Sequence, residues 1–155
     1  MERFFIWSLF ILFTLSLNTS FAEIIKGKWN FVKESDYCYI GSSPINSDIS
    51  EDKKRGDVYI LVYRINNNPD AIVQVNSGYP YKVEEPVIVK IDKKNYEFYS
   101  EEDSAWTQND KAVIYAMQKG LDLVVTGTSS RGTKTNDFYT LSGFTKAYKK
   151  LNNDC

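Results

Sequence analysis

Residues 58–65, VYILVYRI, constrain the chain more than any other stretch. In an extended strand Val58, Ile60, Val62 and Arg64 share one side and Tyr59, Leu61, Tyr63 and Ile65 the other. Both sides are apolar, so the segment reads as a strand at the centre of a core. Asn66-Asn67-Asn68-Pro69-Asp70 is turn chemistry, and residues 71–76 return as the hairpin partner. Shorter alternating runs at 28–32, 37–40, 87–91, 96–99, 121–128 and 138–141 read as further strands. In the run from 121, Leu121, Leu123 and Val125 share one side. Residues 41–56 read as an exposed loop, Gly78-Tyr79-Pro80 breaks the sheet, and Asp92 to Asn95 make a turn.

Two segments change period. Asn109 or Asp110 can cap a short helix whose Ala112, Val113, Ala116 and Met117 share a face, and Gly120 stands where a left-handed stop glycine belongs. Beyond Gly143, Phe144, Ala147, Tyr148 and Leu151 follow helical spacing. About seven short strands and one or two small helices point to a mainly β domain, a β-sandwich, with a β-barrel as the alternative. Eleven tyrosines suit a sheet protein with half-exposed faces.

The front of the chain has a different character. Residues 4–17 form an apolar run of about 14 residues, shorter than the roughly 18 a membrane span needs. Ser20-Phe21-Ala22 then offers small residues two apart, as signal peptidase requires. Residues 1–22 therefore read as a cleavable signal peptide and residues 23–155 as a single domain. An uncleaved anchor is the alternative.

Export places the two cysteines, Cys38 and Cys155, in an oxidising compartment, where an even pair reads as a disulfide. The bridge would close nearly the whole mature chain, a constraint valued at about 4–5 kcal/mol before strain. Pairing of Cys155 between molecules is the alternative.

The composition narrows the chemistry. There is no histidine, which removes the commonest general base and the commonest metal ligand. Lys and Arg number 19 and Asp and Glu 20, interleaved, so no single-signed face suggests nucleic acid or an anionic membrane. No cofactor or metal site is expected, and Glu101-Glu102-Asp103 lacks the spacing of a calcium loop. Ser50-Glu51-Asp52-Lys53 matches S-x-x-K in a polar loop only, and Gly127 to Gly132 lacks the lysine of a phosphate loop. Arg55-Gly56-Asp57 is the tripeptide integrins read, but it runs straight into the strongest strand rather than a protruding tip.

One polar segment stands out. Residues 126–134 carry two cations and no acid, and the candidate binding loop is Ser129, Ser130, Arg131, Thr133, Lys134 and Thr135. Hydroxyls, backbone N–H groups and a guanidinium suit an anion or a sugar. Gly132 would allow close backbone approach. A plain hairpin connection is the alternative.

Trp29, Cys38-Tyr39-Ile40, Lys119-Gly120-Leu121 and the ending Leu141-Ser142-Gly143-Phe144-Thr145-Lys146-Ala147 resemble the invasion associated locus B family of bacterial exported proteins. The resemblance implies an immunoglobulin-like β-sandwich in the periplasm or cell envelope, without known catalytic residues. Many members carry further cysteines before the penultimate helix. Ser104-Ala105-Trp106 occupies that region here, as in an outlying, cysteine-poor member. The functional expectation is a non-enzymatic binding or structural module whose partner is an envelope protein or polysaccharide, with no stable membrane span once the signal is removed. A carboxylate-dependent hydrolase and a host-surface adhesin are the alternatives.

Overall fold

The structure is a computed structural model in which residues 24–50, 52–66 and 68–155 are described. Residues 1–22, read from the sequence as a signal peptide, lie outside the described residues. The strands are β1 (Asn30–Lys33), β2 (Tyr37–Ser42), β3 (Asn46–Ser47), β4 (Val58–Ile65) and β5 (Ile72–Ser77). There follow β6 (Val87–Ile91), β7 (Lys94–Glu101), β8 (Ser104–Trp106), α1 (Asp110–Lys119), β9 (Asp122–Thr128), β10 (Lys134–Thr140) and α2 (Phe144–Asp154).

The domain is mainly β, as the strand count implies. Ten strands form one antiparallel sheet in the order β1-β2-β4-β5-β8-β7-β6-β9-β10-β3. The order is linear, with β1 and β3 at its ends, so the barrel alternative is not adopted. Strand β7 belongs to both halves: Lys94 to Phe98 pair with β6, whereas Tyr99 to Glu101 pair with β8. Ile40, Ile60, Val62, Val73 and Val75 from one half enter the same core as Val87, Val89, Phe98, Leu123 and Val125 from the other. Each such burial is worth about 1.5–3 kcal/mol relative to exposure, and together they hold the halves face to face.

The central strand differs from expectation in one respect. Ile60 and Val62 are fully buried, but Tyr59, Leu61 and Tyr63 are only half-buried. Their side of β4 is the outer face of the sheet, where aromatic rings shield one another sideways instead of being covered. The half-exposed face expected from the tyrosine content is this one.

Helix α1 forms where the period changes: Asn109 caps it by accepting from the Ala112 N–H, and Val113, Ile114 and Met117 are buried. Gly120 ends it in an extended conformation, not the expected left-handed one. Packing explains the glycine, because a Cβ there would lie 2.7 Å from Ile91 Cγ2 and 3.0 Å from Leu141 Cδ1. Leu121, expected to share a face with Leu123 and Val125, is exposed and precedes the strand. Helix α2 buries Phe144, Ala147 and Leu151, and Phe144 meets Trp29 edge-on at 4.9 Å. Trp29 Nε1 donates to the Thr140 carbonyl at 3.0 Å. The helix brings Cys155 to Cys38, which it joins in a disulfide with Cα atoms 5.8 Å apart.

Residues 41–56 are more structured than a loop. Strand β2 extends to Ser42, and β3 pairs with Asp137 and Phe138 of β10. Asp48 strengthens that pairing by accepting from Asn136 N at 2.7 Å and Asn136 Nδ2 at 2.6 Å. The segment then returns to β4 past Gly56, whose N–H donates to the Gly78 carbonyl at 2.8 Å. At Gly78 φ is +73°, and a Cβ would fall 2.5 Å from Gly56 O. Replacing Gly78 by alanine is expected to cost about 1–3 kcal/mol through left-handed strain and this backbone clash. Thermal denaturation checks it, and an unchanged Tm contradicts the close approach of the two loops.

Candidate functional site

The Gly56–Gly78 contact forms the floor of a cleft of about 680 Å³. One wall is the segment Lys53, Lys54 and Arg55, and the other is the β9–β10 turn with Ser130, Arg131 and Thr133. Tyr79 and Pro80 supply an apolar patch between them. Among the described residues no Asp or Glu lines the cleft, although the chain holds 20 of them.

The turn is held rigidly. Thr128 and Lys134 face each other across β9 and β10, which leaves residues 129–133 as the connection, shorter than the gap expected between strands at 121–128 and 138–141. The Ser129 N–H donates to the Thr133 carbonyl at 2.8 Å, and Thr133 N donates back to Ser129 Oγ at 3.1 Å. Gly132 N donates to the Ser129 carbonyl at 2.8 Å. At Gly132 φ is +85°, and nothing lies within 4 Å of a would-be Cβ. Its glycine therefore serves the turn's left-handed backbone. The turn is also docked laterally, Ser130 N donating to the Pro80 carbonyl at 2.8 Å and Lys82 N to the Thr128 carbonyl at 2.9 Å.

The six residues singled out in the sequence are placed differently from one another. Ser130, Arg131 and Thr133 present themselves at the cleft, Ser130 and Arg131 being exposed. Ser129 is buried with its hydroxyl engaged inside the turn. Thr135 is fully buried at the base, its hydroxyl 2.7 Å from that of Tyr79. Lys134 opens β10 outside the cleft, where its charge acts on Glu85. The Glu85 carboxyl is held below its ordinary range by the Thr128 hydroxyl and then by Lys82, with Lys134 a smaller contributor.

Below the floor lies a buried ion pair. Asp137 is fully buried, and Arg55 covers it bidentately, Nη1 on Oδ2 at 2.9 Å and Nη2 on Oδ1. The same guanidinium donates to Ser47 Oγ at 2.8 Å and to the Ser77 carbonyl at 3.3 Å. Burial works against the charge on Arg55, but the hydrogen bonds and charge of Asp137 outweigh it and raise its pKa above the ordinary arginine value. Arg55 is thus committed to β3, β5 and β10. The Arg-Gly-Asp tripeptide does not present its arginine to a receptor. The cations left facing the cleft are Lys53, Lys54 and Arg131.

Lys53 and Lys54 are visible in the sequence as a basic run, but nothing local says that they lie opposite Arg131. Asp137 did carry a usable signal. It is in phase with Thr135 and Tyr139 on the inward side of its strand, and an acid on that side requires a cationic partner.

These features define a small, disulfide-closed β protein with a rigid basic cleft at one end of its folded sheet. The sequence pattern of the family "Invasion associated locus B (IalB) protein" matches residues 34–152, and the chain belongs to that family. Among solved structures it is similar to the crystal structure of invasion associated protein b from Bartonella henselae, with 20% identity and a TM-score of 0.59. That likeness covers 81% of this chain and 92% of the other and bears on the fold. Comparison with curated proteins gives no match.

Proposed function

We propose that the protein is an exported, non-catalytic binding module of the bacterial periplasm or cell envelope, and that its basic cleft holds an anionic polysaccharide. The observation that carries this reading is the convergence of Lys53, Lys54 and Arg131 on a cleft that no carboxylate lines among the described residues. Each is flexible and exposed, but the backbone that carries Arg131 is fixed by the turn's hydrogen bonds. A planar guanidinium can grip a carboxylate or phosphate with two parallel bonds, and the two lysines add charge without fixed geometry. Tyr79 offers a ring for the apolar side of a sugar. The apolar run at residues 4–17 and the disulfide agree with export.

The test is calorimetric titration of the purified exported protein with tetragalacturonate, a carboxylated glycan, at two salt concentrations. Binding should weaken as salt rises, because exposed charges are screened. Changing Lys54 and Arg131 together to alanine should reduce affinity tenfold or more, about 1.4 kcal/mol per factor of ten, without lowering Tm. Equal binding by that variant assigns the interaction elsewhere. Absence of glycan binding, with retention of an acidic envelope protein on the same cleft, turns the reading from polysaccharide to protein partner.

A further inference from the structure

The outer face of β2, β4, β5 and β8 is the second unusual surface of the molecule. A quarter of the chain is charged, yet the outward positions of these four strands hold no charged side chain. Instead a row of rings from β2, β4 and β8 lies along this face, with Ile72 and Gln74 of β5 between those of β4 and β8. Tyr37 stacks on Tyr39 with centroids 6.0 Å apart, and Tyr39 faces Tyr63 across the β2–β4 pairing. The Tyr63 hydroxyl is paired with Trp106, and Trp106 faces Tyr99 across β8 and β7 with centroids 6.2 Å apart. From β2 to β7 the row makes four interstrand steps, roughly 19 Å at about 4.8 Å each. Its ends are open, Tyr37 being 43% and Tyr99 54% exposed.

At the Tyr99 end the row meets a cleft of about 720 Å³, which Tyr99 itself lines. Glu84, Glu97, Gln108 and Asn109 supply carboxylate and amide groups there. This cleft is acidic where the other is basic.

We propose that the aromatic row and its adjoining acidic cleft form a binding site for an uncharged linear polysaccharide strand. A pyranose ring has apolar C–H faces and a rim of hydroxyls, and its faces match flat rings that lose little conformational entropy on binding. About four sugars fit the 19 Å row, at roughly 5 Å each, one strand spacing per sugar. Carboxylate and amide groups at the end accept and donate to the rim hydroxyls of the last sugar. Glu84 and Glu97 repel an anionic polymer, so charge separates this ligand from that of the basic cleft. The two sites are independent, and failure of one leaves the other standing.

The test titrates the purified exported protein with cellotetraose, maltotetraose and N-acetylchitotetraose, with tetragalacturonate as the anionic control. At least one neutral tetrasaccharide should bind and shift the amide resonances of residues 63, 99 and 106, which tetragalacturonate leaves in place. Trp106→Ala and Tyr99→Ser should each weaken that binding at least tenfold, and the Lys54→Ala/Arg131→Ala variant should not. Tyr99 is exposed, so its replacement leaves the fold intact and keeps the test valid if the Trp106 variant fails to fold. Three results overturn the proposal. No neutral tetrasaccharide binds; binding survives Tyr99→Ser; or sedimentation finds a dimer that Tyr99→Ser dissolves, which makes the face a contact between copies of this chain.

Discussion

Changing Arg55 to alanine is expected to destabilise the protein by about 3–5 kcal/mol, because it strands a fully buried Asp137 carboxylate without its counter-charge. The loss extends beyond one pair. Arg55 also fastens Ser47 and the Ser77 carbonyl, so β3, β5 and β10 separate where the cleft floor is built. Denaturant unfolding measures the effect. Changing Arg55 to methionine and Asp137 to leucine together should cost far less than Arg55→Ala alone, since a buried ion pair and an apolar pair of similar volume differ little in net stability. A double variant as unstable as the single one contradicts the attribution to an orphaned charge. The salt dependence should be slight, because water and ions do not reach Asp137.

Removing the disulfide by changing Cys38 and Cys155 together to alanine is expected to cost about 2–5 kcal/mol. The bridge spans 117 residues and ties the end of α2 to the start of β2. Most of its effect lies in the unfolded chain, whose ends it holds together, with an added packing loss at Cys38, which is fully buried. The denaturant midpoint of the double variant should lie slightly below that of the reduced wild-type protein, which keeps the Cys38 sulfur in the core. A disulfide-linked dimer as the main native species contradicts the intramolecular bridge.

Much of the fold was legible because it rests on local periodicity. Residues 58–65 form a β-branched and aromatic run apolar on both sides, and Val87, Val89 and Ile91 share one side, so their strand limits agree with those of β4 and β6. The period change at Asn109 marks α1 for the same reason, and the apolar spacing from Phe144 marks α2. What escaped depends on partners distant in sequence. Strand β3 has two residues and exists only because Asp137 and Phe138 offer it a register. Ser104-Ala105-Trp106 is too short to announce itself as a strand, yet it closes the gap between β5 and β7.

The candidate site divides along the same line. Arg131 and its turn were marked by an uneven charge pattern that any reader of residues 126–134 can see. Lys53 and Lys54 join them only through the Gly56–Gly78 contact, which no local rule foretells. Thr135 and Ser129 were chosen for their hydroxyls, but the alternation of β10 turns Thr135 inward and the turn's own hydrogen bonds engage Ser129, so both hydroxyls are already used. Lys134 faces away from the cleft because it begins β10.

The central claim, that Lys53, Lys54 and Arg131 act together as an anion-binding cleft, is tested most directly by amide chemical-shift mapping with tetragalacturonate. The predicted result is a single cluster of shifted resonances at residues 53–56, 78–79 and 129–133, abolished in the Lys54→Ala/Arg131→Ala variant. Shifts spread over the surface lysines, or the same cluster persisting in the variant, contradict it.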